Sequence, residues 1–261
     1  MTGDALTVDH EDGIATVALD DAENRNALDL SVADELVEAA ATLGTDDDVR
    51  CIVLTHESDF FCTGANLGAL SGDEADAPMI RQLAGRLHEA VIQFHQAPKP
   101  VIGGLDGVAA GAGFGMALFP DLLYVSDESR LEYAYPRIGL TGDGGSTFFL
   151  PRLVGLRAAK EIALLDEPIG PERAVELGLA TEVVDSDSLD ERVQEVAANT
   201  ASGPTVAQGA TTRLLTESFD RSLESQLAAE TDEMAKAVQT DDYERGIAGF
   251  FGDEEPDFRG K

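Results

Sequence analysis

Tryptophan is absent from the 261 residues, and cysteine occurs only twice. Cys51 and Cys62 are too few for a disulfide framework, and no Cys/His spacing matches a zinc site, so no structural metal is expected. Both sit in apolar stretches and read as ordinary buried thiols. No hydrophobic run is long enough to span a bilayer, and Met1-Thr2-Gly3-Asp4 lacks a signal-peptide pattern, so a cytoplasmic protein is expected. The largest deficit is positive charge. Lys99, Lys160, Lys236 and Lys261 are the only lysines, and 18 basic residues face 50 acidic ones, for a net charge of −32. Such a surface repels nucleic acid and anionic membranes alike.

What is present is a foldable chain. At 43% hydrophobic residues, the length suffices for one large domain or a domain with an appendage. The acids do not form a tail. They lie on helix faces (Asp34, Glu35, Glu38) and in loops (Asp46-Asp47-Asp48), and apolar periodicity continues between them. This is a folded protein with an acidic skin, read as adaptation to a salt-rich cytoplasm. The alternative is acidity selected for solubility alone.

Leu6–Val8 and Ile14–Leu19 flank Asp12-Gly13 as a β-hairpin. Asp29 can cap a helix whose positions Val32, Leu36, Ala40 and Leu43 share one face. Residues 51–54 read as a buried strand, 58–67 as a second strand, and 71–78 as a mobile loop. An amphipathic helix over 80–94 buries Leu83, Leu87, Val91 and Phe94. Strands follow at 121–125, 130–133 and 181–184. Between them lie a Gly-rich loop over 135–145, helices near 146–153 and 156–165, and a helix from Pro171 to Gly178. From Leu189 the chain reads as helical, with a break at Gly203-Pro204. Strands joined by helices predict an α/β fold, with residues 1–200 as core and 201–261 as a helical assembly region.

One stretch stands apart, PVIGGLDGVAAGAGFGMALFPD over 100–121. It opens as a buried strand, passes through small residues and becomes an apolar helix near Ala112. Small residues permit close backbone approach to a ligand, and free N–H groups there suit developing negative charge. The stretch lacks the lysine of a phosphate loop and the spacing of a dinucleotide fingerprint. By itself it reads equally as half of an oxyanion hole or as a tightly packed strand-to-helix corner.

Three motifs in order resemble the crotonase (enoyl-CoA hydratase/isomerase) superfamily. They are FCTGANL at 61–67, PKPVI through Asp121 from 98, and RIGL with LPRLVG at 137–140 and 150–155. NRNAL at 24–28 resembles that family's early CoA-side loop. The resemblance runs from about Leu6 to the C-terminus. It implies a spiral of ββα turns and a C-terminal helical region that packs into homotrimers, alone or paired into hexamers. It implies an acyl-CoA substrate, with coenzyme A part of the substrate and no tightly bound cofactor. The oxyanion donors map onto the backbone N–H groups of Ala65 and Ala112. Arg25 is the expected phosphate contact, and Ala27 and Ala65 line the CoA path. Gly64, Leu67, Gly111 and Tyr135 complete the expected binding set, with Phe258 and Lys261 of the tail at the nucleotide.

The resemblance also shows what is missing. The two glutamates with which the family's hydratases handle water align with Gly115 and Arg137, so hydration is not expected. Asp143, in GLTGDGGS at 139–146, matches the aspartate of phenylacetate-pathway enoyl-CoA isomerases, which moves a proton along the acyl chain. Alternatively it only caps the helix near Gly145. In 4-chlorobenzoyl-CoA dehalogenases an aspartate at this place attacks the ring and a histidine at the position of His88 activates water; Tyr135 here replaces their tryptophan. His88 also reads as a structural neighbour of core Leu87. A non-catalytic acyl-CoA-binding subunit is the reading outside enzymes. Phe114, Phe119, Phe148 and Phe149 are candidate acyl-pocket walls, and His56 and His95 read as surface residues.

The charge density carries a prediction. Thermal melts should shift upward from dilute buffer to molar KCl as salt screens self-repulsion; equal midpoints would contradict the salt-adaptation reading.

Overall fold

The computed structural model describes residues 5–252 and 255–261; Met1-Thr2-Gly3-Asp4, the stretch without a signal-peptide pattern, lies outside them. β1 (Leu6–Glu11) and β2 (Ile14–Leu19) form the expected antiparallel hairpin. Asp12 and Gly13 both take positive φ (48° and 80°), the backbone hand that suits a two-residue hairpin turn. α1 (Leu30–Thr45) begins where the Asp29 carboxylate accepts the Val32 N–H at 3.1 Å, and it buries Val32, Leu36, Ala40 and Leu43 as the periodicity predicts. β3 (Cys51–His56) is followed by α2 (Ala77–His95) and β4 (Val101–Leu105). Next come β5 (Val108–Ala110), the short α3 (Ala112–Ala117), β6 (Leu122–Ser126) and β7 (Arg130–Glu132). α4 (Ser146–Leu165) is two helical segments meeting at Gly155, whose φ 77° and ψ 156° interrupt it. α5 (Pro171–Leu177) starts on its proline and ends at left-handed Gly178. β8 (Glu182–Val184) and α6 (Leu189–Ala201) lead to α7 (Thr205–Glu217), α8 (Leu223–Ala237) and α9 (Asp241–Phe251).

The α/β expectation holds. Six strands lie in the order β1-β2-β3-β4-β6-β8, parallel from β2 onward, and β5 pairs in parallel with β7 beside them. Parallel strands are covered on both faces. α6 covers one with Val193 and Ala197 against Cys51, Val53 and Ile102. The larger core on the other side includes Leu36, Leu87, Phe94 and Phe114. Such sheets bind ligands beyond the carboxyl ends of their strands, and the chain leaving β3, β4 and β5 supplies the site described below.

Several expectations need correction. Residues 58–67 are not a strand. They make only isolated bridges, Phe60 to Gly107, Cys62 to Ala109 and Leu28 to Ala65, because Gly64 at φ 90° turns the chain away before a ladder can form. Residues 71–78 contain a 3-10 turn, Glu74–Asp76, and the Asp76 carboxylate accepts the Ser71 N–H and hydroxyl and the Gly72 N–H at 2.8 Å each. The following helix therefore starts at Ala77 rather than at 80. The loop at 135–145 opens with a 3-10 turn, Tyr135–Ile138. β5 was hidden in the small-residue run.

His56 is half-buried rather than on the surface. Its Nδ1 donates to the Ser58 carbonyl at 2.6 Å and its Nε2 accepts the Asp106 N–H at 2.9 Å. Burial lowers its pKa, against the opposing pull of Ser58 and nearby acids. His95 packs edge-on against Phe149, 4.9 Å between centroids. Both cysteines are buried, and desolvation pushes each thiol up to about 12, which leaves them unreactive.

The C-terminal helices are tied back to the core. A Cβ at Gly209 of α7 would lie 2.1 Å from the Pro98 carbonyl, so only glycine permits that crossing. Arg50 donates to the carbonyls of Gly203 and Phe258 and to the Thr205 hydroxyl. Buried Asp242 accepts the N–H groups of Arg259 and Gly260 at 2.7 Å. No helix among the described residues is long and apolar enough to cross a membrane.

Candidate active site

Two stretches of backbone meet at the centre of the site. The first runs from β3 through Cys62 to Ala65, and Asn26 holds it. That side chain is buried at left-handed backbone (φ 53°) and donates to the Ser58 hydroxyl and to the Phe60 and Phe61 carbonyls at 2.6–3.2 Å. Leu28 then brackets Ala65, donating to the Gly64 carbonyl at 2.7 Å and accepting from Asn66 N–H at 2.8 Å. The second stretch is β5 and the start of α3. Cys62 and β5 exchange hydrogen bonds of 3.0 and 2.9 Å with Val108 and Ala110.

Glycine makes the approach possible. A Cβ at Gly113 would sit 2.2 Å from the Cys62 carbonyl oxygen, and one at Gly64 would sit 2.8 Å from the Ala110 carbonyl oxygen and 3.3 Å from the Ala112 nitrogen. Gly111, at φ 55° and ψ −119°, donates to the Glu132 carbonyl at 3.1 Å and turns the chain into α3. The N–H groups of Ala65 and Ala112 are thus neighbours, and neither donates to an acceptor among the described residues. The corner at 100–121 is tightly packed, and its packing is what brings the two donors together.

A cavity of about 450 Å³ opens over them, lined by Gly64, Ala65, Leu67, Gly111, Ala112, Tyr135 and Asp143 among others. Its apolar walls are Leu70, Met79, Ile80, Leu83 and Leu87 on one side and Ile138 and Leu140 on another. Among the described residues Asp143 is the one carboxylate in this lining and Arg137 the one cation. Arg137 is already engaged: it donates to Asp166 at 2.6 Å and pairs with buried Glu132. Asp143 does not cap α4, where Gly145 takes the cap position without a side-chain bond; only its carbonyl accepts the Ser146 N–H. Its carboxylate instead meets His88 Nε2 at 2.6 Å, with side chains 34% and 47% exposed. Beside it the Tyr135 hydroxyl is buried without a hydrogen-bond partner. Burial, and then the Asp143 charge, push its pKa upward, so it stays a neutral phenol.

Gly115 lies directly beneath this carboxylate's backbone. A Cβ there would meet the Gly144 carbonyl oxygen at 2.6 Å and that of Asp143 at 3.0 Å. A glutamate at 115 is therefore excluded by packing. Among the described residues no group of His, Cys, Asp and Glu is arranged to hold a metal.

Other expected site residues lie elsewhere. Arg25, at φ 57°, sits 5.5 Å over the Phe60 ring, and its carbonyl accepts the Thr63 hydroxyl. Arg25 and Ala27 flank the cavity without lining it. Phe258 packs in a hollow with Pro204, Tyr243 and Ile247, and the Lys261 carbonyl accepts the Asp242 N–H; neither reaches the cavity of its own chain. None of the four phenylalanines forms a wall. Phe114 is core, Phe119 stacks on Phe94, Phe149 meets His95, and Phe148 lies under the Arg152 guanidinium at 3.5 Å. The actual walls come from Met79, Ile80 and Leu83 in the first turns of α2 and from Leu140. Sequence reasoning also missed Asn26, although an asparagine in the polar NRNAL turn is the residue type that tolerates left-handed backbone.

The parallel sheet thus brings two free backbone N–H groups to an apolar cavity whose described lining holds one carboxylate. The chain belongs to the enoyl-CoA hydratase/isomerase family, whose sequence model matches residues 9–261. It is 31% identical over 253 residues to the 1,2-epoxyphenylacetyl-CoA isomerase of Escherichia coli (strain K12), covering 96% of this chain and 97% of that one. It is also 31% identical over 247 residues to 4-chlorobenzoyl coenzyme A dehalogenase-2 of Arthrobacter sp, covering 94% and 90%. The solved enoyl-CoA hydratase of Polaromonas sp. JS666 superposes with a TM-score of 0.92 at 29% identity, covering 97% and 99%. The crotonase fold expected from the motifs is thereby shown, and the protein is an acyl-CoA enzyme of that family.

Gly115→Ala should push the Asp143 loop aside. We expect turnover to fall at least ~10-fold while acyl-CoA affinity changes little; unchanged turnover would show that the 2.6 Å approach does not hold the carboxylate in place.

Proposed function

We propose that the protein shifts a double bond within an enoyl-CoA, with Asp143 as the proton-transfer base. One observation carries this reading: Asp143 is the sole carboxylate lining the cavity among the described residues, and packing closes the position of a hydratase glutamate at Gly115. Asp143 removes a proton from the carbon next to the thioester. The electron pair moves onto the carbonyl oxygen, where the N–H groups of Ala65 and Ala112 receive it, each worth ~3 kcal/mol in a preorganised site. The protonated Asp143 then returns the proton two carbons further on, and the thioester re-forms. A 1,3-shift needs only this one acid–base group; hydration needs a placed water as well. The name of the Escherichia coli relative, an isomerase of an epoxyphenylacetyl-CoA, supports isomerisation of a CoA thioester in general.

A second reading is favoured by the His88–Asp143 contact and by the likeness to a dehalogenase. In it the Asp143 carboxylate attacks the halogen-bearing ring carbon of a halobenzoyl-CoA, halide leaves to give an aspartyl-aryl ester, and His88 takes a proton from the water that hydrolyses that ester and frees the carboxylate. The apolar walls accept either acyl group.

CoA would lie along Gly64, Leu67 and Gly111, with Arg25, Ala27, Phe258 and Lys261 toward the nucleotide, the last two from a neighbouring subunit. Leu223, Met234, Phe250 and Phe251 are 70–82% exposed on the C-terminal helices, more apolar surface than a lone subunit keeps. This supports residues 201–261 as the assembly region of a homotrimer or hexamer. The acid-rich exterior supports a salt-rich cytoplasm as its setting.

Asp143→Asn should abolish conversion of a 3-enoyl-CoA and leave CoA binding intact; undiminished isomerisation would remove Asp143 from the chemistry. Trapping an aspartyl-aryl ester with a 4-halobenzoyl-CoA would transfer support to the hydrolase, and a wild type inert toward every acyl-CoA tried would favour a binding subunit. Sedimentation velocity should report three or six copies, whereas a monomer in molar KCl would overturn the assembly assignment.

A further inference from the structure

His88 has no place in a bare 1,3-proton shift, yet it touches the base. It stands on α2 one residue beyond Leu87, which lines the cavity, and its Nε2 lies 2.6 Å from the Asp143 Oδ1. The histidine side chain is 47% exposed and the aspartate 34%. The pair therefore spans from the reacting carboxylate to bulk water. Asp143 makes no other side-chain hydrogen bond among the described residues, so nothing competes for its proton on the enzyme side.

We infer that His88 is a positioning residue that connects the Asp143 carboxyl to solvent, so that the hydrogen moved along the acyl chain exchanges with water during turnover. The inference rests on Asp143 being the proton-transfer base. Once Asp143 has taken a proton from the substrate, its O–H points at the imidazole Nε2. Transfer across that contact gives carboxylate and imidazolium. The half-exposed imidazolium then swings off the carboxylate, gives that Nε2 proton to water, takes another from water at the same nitrogen, and on returning donates the new one to Asp143. No bond other than O–H and N–H is made or broken, and charge balances at each step. Imidazole exchanges protons readily near neutral pH, so the path competes with direct return to carbon. In this light the exposed pair governs the fate of the hydrogen rather than the existence of the reaction.

The test is turnover of a 3-enoyl-CoA in D2O, reading deuterium at the receiving carbon by mass spectrometry or NMR. Wild type should deliver close to one deuterium per product. His88→Gln and His88→Phe should keep isomerising, with kcat reduced by ~10-fold or less as the carboxylate loses its anchor, and product deuterium should fall several-fold because the hydrogen is returned directly. A purely structural role for His88 would lower rate without changing the label. Unchanged deuterium in both variants, an unlabelled wild-type product, or complete loss of turnover in both variants would overturn the inference. Asp143→Asn in the same assay separates the two claims. Isomerisation surviving in that variant removes the base itself, whereas its loss alongside unchanged labelling in the His88 variants removes only the exchange path.

Discussion

The site depends on the distance between two backbones. Cys62–Ala65 and Ala110–Gly113 approach closely enough that a single methyl group at Gly64 or Gly113 would collide with the opposing carbonyl. Everything else serves that approach. Asn26 holds the first strand of chain from behind, Leu28 brackets it, and the Glu132 carbonyl holds Gly111 in a conformation that only glycine adopts easily. The two free N–H groups follow from this packing, and in the proposed reaction a thioester oxygen accepts from both. Donors fixed in advance need no reorganisation when charge develops, which is why such an arrangement outperforms water.

Against that constant frame the chemistry is set by very few side chains. A family built on one oxyanion frame can change reaction by moving a carboxylate, and here the frame itself forbids one placement. The backbone of Asp143 and Gly144 fills the space above Gly115, so the carboxylate that lines this cavity comes from the Gly-rich loop. The second vacant position, Arg137, is occupied by a cation that neutralises buried Glu132 and Asp166. In a chain of net charge −32 this matters. Additional carboxylates around the cavity would oppose an enolate, and the described lining contains one alone, Asp143, in contact with His88. The acidity is kept on the outer surface, where salt screens it.

Much of this was legible from sequence, for identifiable reasons. The hairpin at Asp12-Gly13, the Asp29 cap and the apolar face of α1 are local features, fixed by turn chemistry and periodicity within a few residues. The close approach of two backbones was legible because small residues recur in order in FCTGANL and GAGFG. What failed was non-local. Residues 58–67 have strand composition, but Gly64 turns them toward a distant bracket at Leu28. The small residues of Val108–Ala110 conceal a strand whose partner is β7. Residue type points to phenylalanines as pocket walls, whereas the register of α2 turns Met79, Ile80 and Leu83 inward; Phe114, Phe119 and Phe149 lie in the core and Phe148 sits exposed beneath Arg152. His88 and Asp143 are 55 positions apart, and their contact follows from helix placement that no local pattern encodes.

The central claim is that Ala65 and Ala112 polarise a thioester carbonyl. Difference infrared spectroscopy of a bound, unreactive acyl-CoA carrying a carbon-13 thioester carbonyl reads this directly. The account predicts that the carbonyl stretch moves to lower frequency on binding. A stretch at the same frequency as in water would contradict it.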